Sequence, residues 1–137
     1  MNKLLLTLAL VLFVVALYGQ TLQKGNLIGT HVLKLEMKPG VTIKQFQEFY
    51  INKLIPAIEK ARSGWKVYLV KGVRGENKDS YGLIVVIESV EAHDKHYNAD
   101  DSLSEFGKEA LRDYNPVKNE LDKLVTISSK FTDWLVL

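Results

Sequence analysis

The sequence predicts an α+β domain in which four β-strands and two helical regions follow the order β-α-β-β-α-β. Segments with alternating or continuous apolar residues, typical of strands, flank stretches with apolar residues at helical spacing. A short glycine-bearing loop joins the second and third strands, as in a hairpin, whereas the other connections contain the helices. We therefore expect a four-stranded antiparallel sheet with helices on one face.

Before the first of these elements, residues 1–19 are predicted to be a secretory signal peptide. Lys3 precedes the apolar stretch Leu4–Leu17. That stretch is about 14 residues, or roughly 21 Å as a helix, which is short against a bilayer core of ~30 Å. Gly19 is a small residue at the expected cleavage point, but Leu17 fits the preceding recognition position poorly. An uncleaved anchor remains the alternative to a periplasmic or secreted protein with no stable membrane insertion.

The remaining chain is predicted to be a flexible lead-in at residues 20–26 and a single domain at residues 27–137. The sequence contains no cysteine, so disulfides do not contribute to stability. The formal net charge is +2, with Lys and Glu interspersed and no basic stripe. We therefore expect no binding to nucleic acid.

The first strand and the first helix have clear sequence boundaries. Leu27–Met37 alternates in polarity and ends before Pro39-Gly40. Thr42 and Gln45 match a capping box that opens a helix, and Gly64 is expected to end it. Pro56 lacks a backbone donor, so it is predicted to kink or loosen this helix near Asn52.

The second half of the chain supplies three strands and a broken helical region. Strands are predicted at Trp65–Val73, Tyr81–Glu88 and Val125–Leu137, and the continuous apolar run in the middle one suggests a central strand. The helical region 89–124 is expected to break at Asn98–Asp101. Its predicted helix starts are Ser89 as a cap, a capping box formed by Ser102 and Glu105, and Asn115 as a cap before Pro116.

This order is the ferredoxin-like arrangement. With Pro39-Gly40 after the first strand and the turn Glu88–His93 into the second helical region, it resembles the dimeric α/β-barrel superfamily over residues 27–137. That superfamily includes antibiotic-biosynthesis-monooxygenase-like, haem-degrading, EthD-like and NIPSNAP-like proteins. The resemblance implies a homodimer whose two sheets pack face to face, with a pocket between sheet and helices in each subunit. Strands that are apolar on both faces support such a dimer independently.

Three histidines are candidate proton acceptors or ligands. His31 follows the apolar face of the first strand, where a partly buried imidazole titrates near neutrality; a hydrogen-bonded histidine at the core margin is the alternative. His93 and His96 lie three residues apart on a predicted helix, so they could share a metal or be two solvated side chains. Haem-degrading relatives place a ligand histidine on this helix, which makes His96, and then His93, the candidates for that role.

Haem degradation would also require an Asn in the first strand and a Trp at the end of the third. Lys34 and Ile87 stand in those regions, and Trp65 belongs to a different strand. We therefore predict no cofactor and no metal. Trp65, Tyr68 and Tyr81, together with His93, are the predicted pocket residues, although strand aromatics also serve as core or dimer contacts.

The sequence thus predicts an exported homodimer that binds a small apolar or aromatic molecule, with no catalysis identified. One alternative is a cofactor-independent monooxygenase or isomerase-like enzyme on the same fold, using His31 or His96 as the catalytic proton acceptor. The other alternative is a structural or partner-binding envelope protein. An apolar cavity containing a buried imidazole would favour the enzyme, whereas a cavity filled by Trp and Tyr side chains would favour the structural protein.

Overall fold

The computed structural model describes residues 21–137, which form a four-stranded antiparallel sheet with helices packed on one face. The strand order is β2-β3-β1-β4, the order of the predicted ferredoxin-like fold. The predicted signal peptide, residues 1–19, lies outside the described residues. The strands are β1 (Leu27–Met37), β2 (Trp65–Lys71), β3 (Tyr81–Ile87) and β4 (Val125–Leu135).

The register of the sheet fixes which side chains share a face. His31 on β1 pairs with Leu83 on β3 and with Phe131 on β4. Because side chains alternate along a strand, these three lie on the face covered by helices, here called the helix-side face. The opposite face, here called the open face, carries the apolar side chains of Ile28, Val32, Tyr68, Val70, Ile84, Val86 and Trp134.

The predicted weakness of the first helix is a π-helical turn. The helix runs as α1 (Ile43–Phe49), the π turn (Tyr50–Leu54) and α2 (Ile55–Ala61). Within the π turn the backbone N–H of Ile55 donates to the carbonyl oxygen of Tyr50, five residues back. Pro56 follows at once and has no N–H to continue the ordinary ladder, which explains why the helix widens here rather than elsewhere.

Both ends of this helix form as the sequence predicts. The Thr42 hydroxyl accepts from the backbone N–H of Gln45 at 3.2 Å, and the Gln45 side chain accepts from the backbone N–H of Thr42 at 2.8 Å. Gly64 follows the helix with a φ of +81°, a conformation that favours glycine, and β2 begins at the next residue. The capping box is therefore confirmed.

The second helical region breaks into α3 (Val90–Asp94), α4 (Glu105–Ala110) and α5 (Asn115–Leu121). Ser89 caps α3 as predicted, but the predicted capping box at Ser102 is wrong. The hydroxyl of Ser104 accepts from the N–H of Gly107 and caps α4, whereas the Ser102 hydroxyl is engaged by Asp100. Asn115 is likewise not a cap, because α5 already begins there.

Two apolar clusters fill the space between sheet and helices. The most deeply buried side chains are Phe46, Leu54 and Val125, in the cluster beneath α1 and the π turn. The second cluster is centred on Trp65, Val85 and Ile87. The side chains that pack against this second cluster include Ile58 of α2, Ala92 of α3 and Tyr97 of the segment that follows α3.

The segment ahead of β1 is hydrogen-bonded to the residue that follows β4. Of the predicted flexible lead-in the structure describes residues 21–26. The backbone N–H of Gly25 donates to the carbonyl oxygen of Val136 at 2.8 Å, and the N–H of Val136 donates to that of Asn26 at 2.9 Å. Across residues 21–137 the structure has no helix long and apolar enough to cross a bilayer.

Candidate functional site

A cavity of ≈ 430 Å³ lies between the helix-side face and the helices, above the second apolar cluster. Its volume falls within the range of pockets that hold small molecules, roughly 300–1,000 Å³. The floor comes from the middle of the sheet and the walls from α2, α3 and the helical region that follows. The lining residues include Gly29, Val67, Leu83, Val85, Ile87 and Ile58, with His31, Arg62, Trp65, His93, Tyr97 and Phe131 around them.

One wall of the cavity is a stack of aromatic and cationic groups. The ring of His93 lies between those of Trp65 and Tyr97, with centroids 6.0 and 4.8 Å away. The Arg62 guanidinium carbon lies 4.4 Å from the Trp65 ring centroid and 5.4 Å from that of Tyr97. Such contacts place the guanidinium over aromatic faces, where the ring quadrupole attracts a cation.

The opposite wall contains His31, Asp133 and Phe131. Gly29 pairs with Asp133 across β1 and β4, so His31 and Asp133 are diagonal neighbours on one face. A methyl group added to Gly29 would lie 3.1 Å from Oδ1 of Asp133 and 3.4 Å from Nε2 of His31. The absence of a side chain at Gly29 therefore lets the carboxylate and the imidazole converge over the strand.

The electrostatics of this wall favour a neutral imidazole. Burial lowers the pKa of His31, and the negative charge of Asp133 offsets part of that effect. A neutral imidazole can accept a proton, and the nearby carboxylate would stabilise the cation that results. Burial raises the pKa of Tyr50 and of Tyr114, which both line the cavity, so their hydroxyl groups stay protonated at neutral pH.

His96 lies outside the cavity lining. Its side chain is 4% exposed and packs edge-on against Trp65, with the ring of Phe106 on another side. Burial lowers its pKa, and the positive charge of Arg62 adds to that effect. Its Nδ1 is buried without a hydrogen-bond partner. The alternative of two solvated histidines is therefore wrong for His96, which is buried, whereas His93 is 23% exposed and stacks on aromatic rings.

The other predicted site residues separate into two groups. Trp65 and His93 line the cavity together with His31. Tyr68 lies on the open face and is 49% exposed, since its position in β2 is one residue out of phase with Trp65 and Val67. Tyr81 packs edge-on against Phe46, and its hydroxyl accepts from Gln47 at 2.9 Å, so it belongs to the first apolar cluster. The prediction that Tyr68 and Tyr81 are pocket residues is therefore corrected, because neither side chain lines the cavity.

Metal ligation finds no geometric support in the part of the chain that is described. Across residues 21–137 there is no group of three or more His, Asp or Glu side chains able to hold a metal ion. His93 Nδ1 lies 3.0 Å from the carboxylate of Asp94, and no further ligand joins them. The surroundings of His93 and His96 therefore do not support a metal-ligand role for either residue.

Sequence reasoning missed Arg62, Phe131 and Asp133 as cavity residues. Arg62 sits at the end of a helix, where a charged residue is usually solvated. Asp133 and Phe131 alternate with polar residues on β4, and only the pairing of β4 with β1 brings them beside His31. Phe131 and Asp133 are two residues apart on one strand, so the sequence does indicate that their side chains share a face.

Comparison with known proteins supports the fold. No family model and no curated protein matches the chain. Among solved structures, an uncharacterised NIPSNAP-like domain protein from Burkholderia xenovorans is 8% identical, with a TM-score of 0.51 over 84% of this chain and 88% of that one. SnoaB, a cofactor-independent oxygenase from Streptomyces nogalater, is 17% identical, with a TM-score of 0.48 over 82% and 94%. An EthD-like protein from Ralstonia eutropha is 11% identical, with a TM-score of 0.43 over 84% and 95%.

The NIPSNAP-like protein shares the ferredoxin-like fold of this chain, and NIPSNAP-like proteins are among those that the sequence resembles. At such low identity the likeness concerns the backbone arrangement only. The ligand and the chemistry of this protein therefore depend on the residues of its own cavity.

Proposed function

We propose that this protein is an exported homodimer that binds a small, flat, largely apolar molecule in the cavity between its sheet and helices. The observation that carries the proposal is the cavity itself, ≈ 430 Å³ of space beside the rings of Trp65, His93, Tyr97 and Phe131. Aromatic walls with a few convergent polar groups are typical of small-molecule sites.

Binding can be followed through Trp65. The chain has two tryptophans, and Trp134 lies on the open face, so Trp134→Phe leaves Trp65 as the sole tryptophan reporter inside the cavity. Titration with 2-naphthoate should quench its fluorescence saturably. Leu83→Phe fills part of the cavity floor and should weaken binding about tenfold or more, because the ligand and the ring would compete for space.

The matched control is Ile84→Phe, one residue along the same strand and on the open face. It should leave the affinity unchanged. Equal loss in both variants would mean that the quenching does not report the cavity, and saturable quenching that Leu83→Phe leaves intact would refute the proposed site.

A second function, proton transfer on the bound molecule, is favoured by the convergence of His31 and Asp133 over Gly29. In this function neutral His31 takes a proton from an acidic C–H of the ligand, and Asp133 stabilises the imidazolium until the proton returns. The same step would begin an isomerisation, or an oxygenation in which dioxygen then reacts with the carbanion.

Solvent exchange tests this function without knowledge of the substrate. The flat ketone 2-tetralone has acidic C–H groups, and in D₂O a catalytic base should speed their exchange, as measured by NMR. We expect His31→Gln to abolish the catalysed exchange and His96→Gln to retain it. The reverse result would assign the base to His96, and no catalysis by the wild type would leave binding as the function.

A further inference from the structure

We propose that the molecule bound in the cavity carries one negative charge, as a carboxylate or an enolate, and that Arg62 binds this group. The inference rests on the proposed binding function and adds the charge and the orientation of the ligand. Its basis is a partly buried guanidinium in the cavity wall that has no anionic partner among residues 21–137.

Several cations of the described residues form ion pairs with acidic side chains, whereas Arg62 does not. Lys66 contacts Glu59 at 2.9 Å, Lys118 contacts Asp122 at 2.7 Å, and Arg112 pairs with Glu109. Within the described chain no acidic side chain forms an ion pair with Arg62, and its Nε is buried without a hydrogen-bond partner. Buried polar groups normally have partners, so the protein pairs this guanidinium incompletely, and an anion in the cavity would bind the N–H donors other than the covered Nε.

The aromatic contacts of Arg62 do not replace an anion. The Arg62 guanidinium carbon lies over the rings of Trp65 and Tyr97, and an aromatic ring does not supply the hydrogen-bond acceptors of a carboxylate. A guanidinium donates in its own plane and binds carboxylates through two parallel hydrogen bonds. The two rings therefore hold the guanidinium carbon in the cavity wall and leave the need for an anionic partner unmet.

Two acids, Asp101 and Asp133, line the cavity, and the position of Asp133 bears on the direction of the ligand. Trp65, beneath Arg62, is on the edge strand β2, and Asp133 is on the opposite edge strand β4. Three inter-strand spacings separate these strands, or roughly 14 Å at ~4.8 Å each. The negative end of a ligand is thus attracted to Arg62 and repelled by Asp133, which directs the uncharged end of the molecule toward His31 and Phe131.

A pair of probes of the same shape isolates the charge. The anion 2-naphthoate and the neutral 2-naphthamide would be titrated into the Trp134→Phe protein at pH 7.5, with Trp65 fluorescence as the readout. We expect the anion to bind about tenfold tighter, the ratio typical of one charge-assisted interaction. Arg62→Gln should abolish the ratio while leaving binding of the amide within about twofold.

Arg74, an exposed residue of the β2–β3 loop, provides the matched control. Arg74→Gln removes the same charge from the protein and should keep the full ratio. Arg62→Met is a second variant that retains the apolar stem between the two rings, and a thermal transition in each variant verifies folding.

The outcomes separate this inference from the proposed function. Equal affinities for the two probes in the wild type, or a ratio that survives both Arg62→Gln and Arg62→Met, would overturn the anion site and leave the binding function standing. Failure of both probes to quench Trp65 at millimolar concentration would overturn the binding function together with the anion site.

Discussion

The imidazole of His31 stacks on the ring of Phe131 across the β1–β4 pair, with ring centroids 5.6 Å apart and planes 25° from parallel. Phe131 is 61% exposed, so this ring is not part of the packed core. It serves instead as an open side wall that flanks the one half-buried histidine of the strand. We therefore expect the Phe131 ring to contribute more to ligand binding than to the stability of the fold.

Replacement of Phe131 by alanine tests this view. Because the ring is mostly solvent-exposed, we expect the free energy of unfolding to fall by less than about 1 kcal/mol. Binding of 2-naphthoate should weaken by about threefold to tenfold, since a stacking surface worth roughly 0.5–1.5 kcal/mol is removed. Phe106→Ala, another exposed aromatic but one that contacts His96 outside the cavity lining, should leave binding unchanged. An unchanged affinity in Phe131→Ala would refute the role of this wall.

The buried histidines predict a loss of stability in mild acid. Burial lowers the pKa of His31 and of His96 below the ordinary value of 6.5, so below that pH the unfolded chain binds more protons than the folded one. The contribution is fully present above about pH 6.5 and is lost as pH falls through the lowered pKa values. Urea unfolding should give a smaller free energy at pH 5.0 than at pH 7.5, and His96→Gln should reduce the difference. A free energy that does not change over this range would contradict the expectation.

Gly107 is predicted to tolerate no side chain. A Cβ added there would lie 2.2 Å from the carbonyl oxygen of His96, a backbone atom that cannot move aside. We expect Gly107→Ala to lower the free energy of unfolding by about 1–3 kcal/mol, the usual cost of overpacking. Glu109→Ala, on the exposed side of the same helix, should change it by no more than about 0.5 kcal/mol in denaturant titrations. An unchanged free energy of unfolding in Gly107→Ala would mean that α4 and the backbone of His96 are not in close contact.

The open face predicts the oligomeric state. Tyr68, Ile84 and Trp134 are 49%, 36% and 57% exposed on one side of the sheet, a contiguous apolar surface that a monomer would leave in water. We expect a dimer at micromolar concentration in sedimentation equilibrium, and a monomer for Ile84→Lys, because a lysine at the centre of that surface would be buried without a partner. Val73→Lys, 75% exposed in the β2–β3 loop, should remain dimeric. A monomeric wild type would refute the interface.

Export remains a prediction from residues 1–19. N-terminal sequencing of protein recovered outside the cytoplasm should give a start near Gln20, after Gly19. Recovery of the chain with Met1 intact in the membrane fraction would instead identify the apolar stretch as an uncleaved anchor.

The fold was predictable because its signals are local. Alternation along Leu27–Met37, the capping box at Thr42 and the cap at Ser89 each act within a few residues, and all three are as expected. The Ser102 prediction failed because Ser104 competes for the same helix start, and a motif alone cannot say which hydroxyl the backbone N–H will choose.

The site was only partly predictable, since it depends on register between strands that are distant in sequence. His31 and Trp65 were identified because each stands on an apolar strand face. Tyr68 is three residues from Trp65 on β2, so its side chain lies on the opposite face, and its aromatic character alone does not place it in the cavity. Asp133 acquires its neighbour only through pairing across 102 residues of chain, which no local pattern encodes.

The π turn has a consequence for the rotational phase of the first helix. An α-helix advances about 100° per residue, so Arg62, sixteen residues beyond Phe46, would point about 160° away from it on a regular helix. Both side chains nevertheless face the sheet. The wider turn at Tyr50–Leu54 takes up part of this rotation, and Arg62 itself ends the helix with a non-helical backbone, φ −126° and ψ 85°. Apolar contacts can then recur every four residues, at Phe46, Tyr50, Leu54 and Ile58, and lead directly to Arg62. The direction of the cation in the cavity thus depends in part on a helical irregularity that lies roughly 15 Å away along the axis.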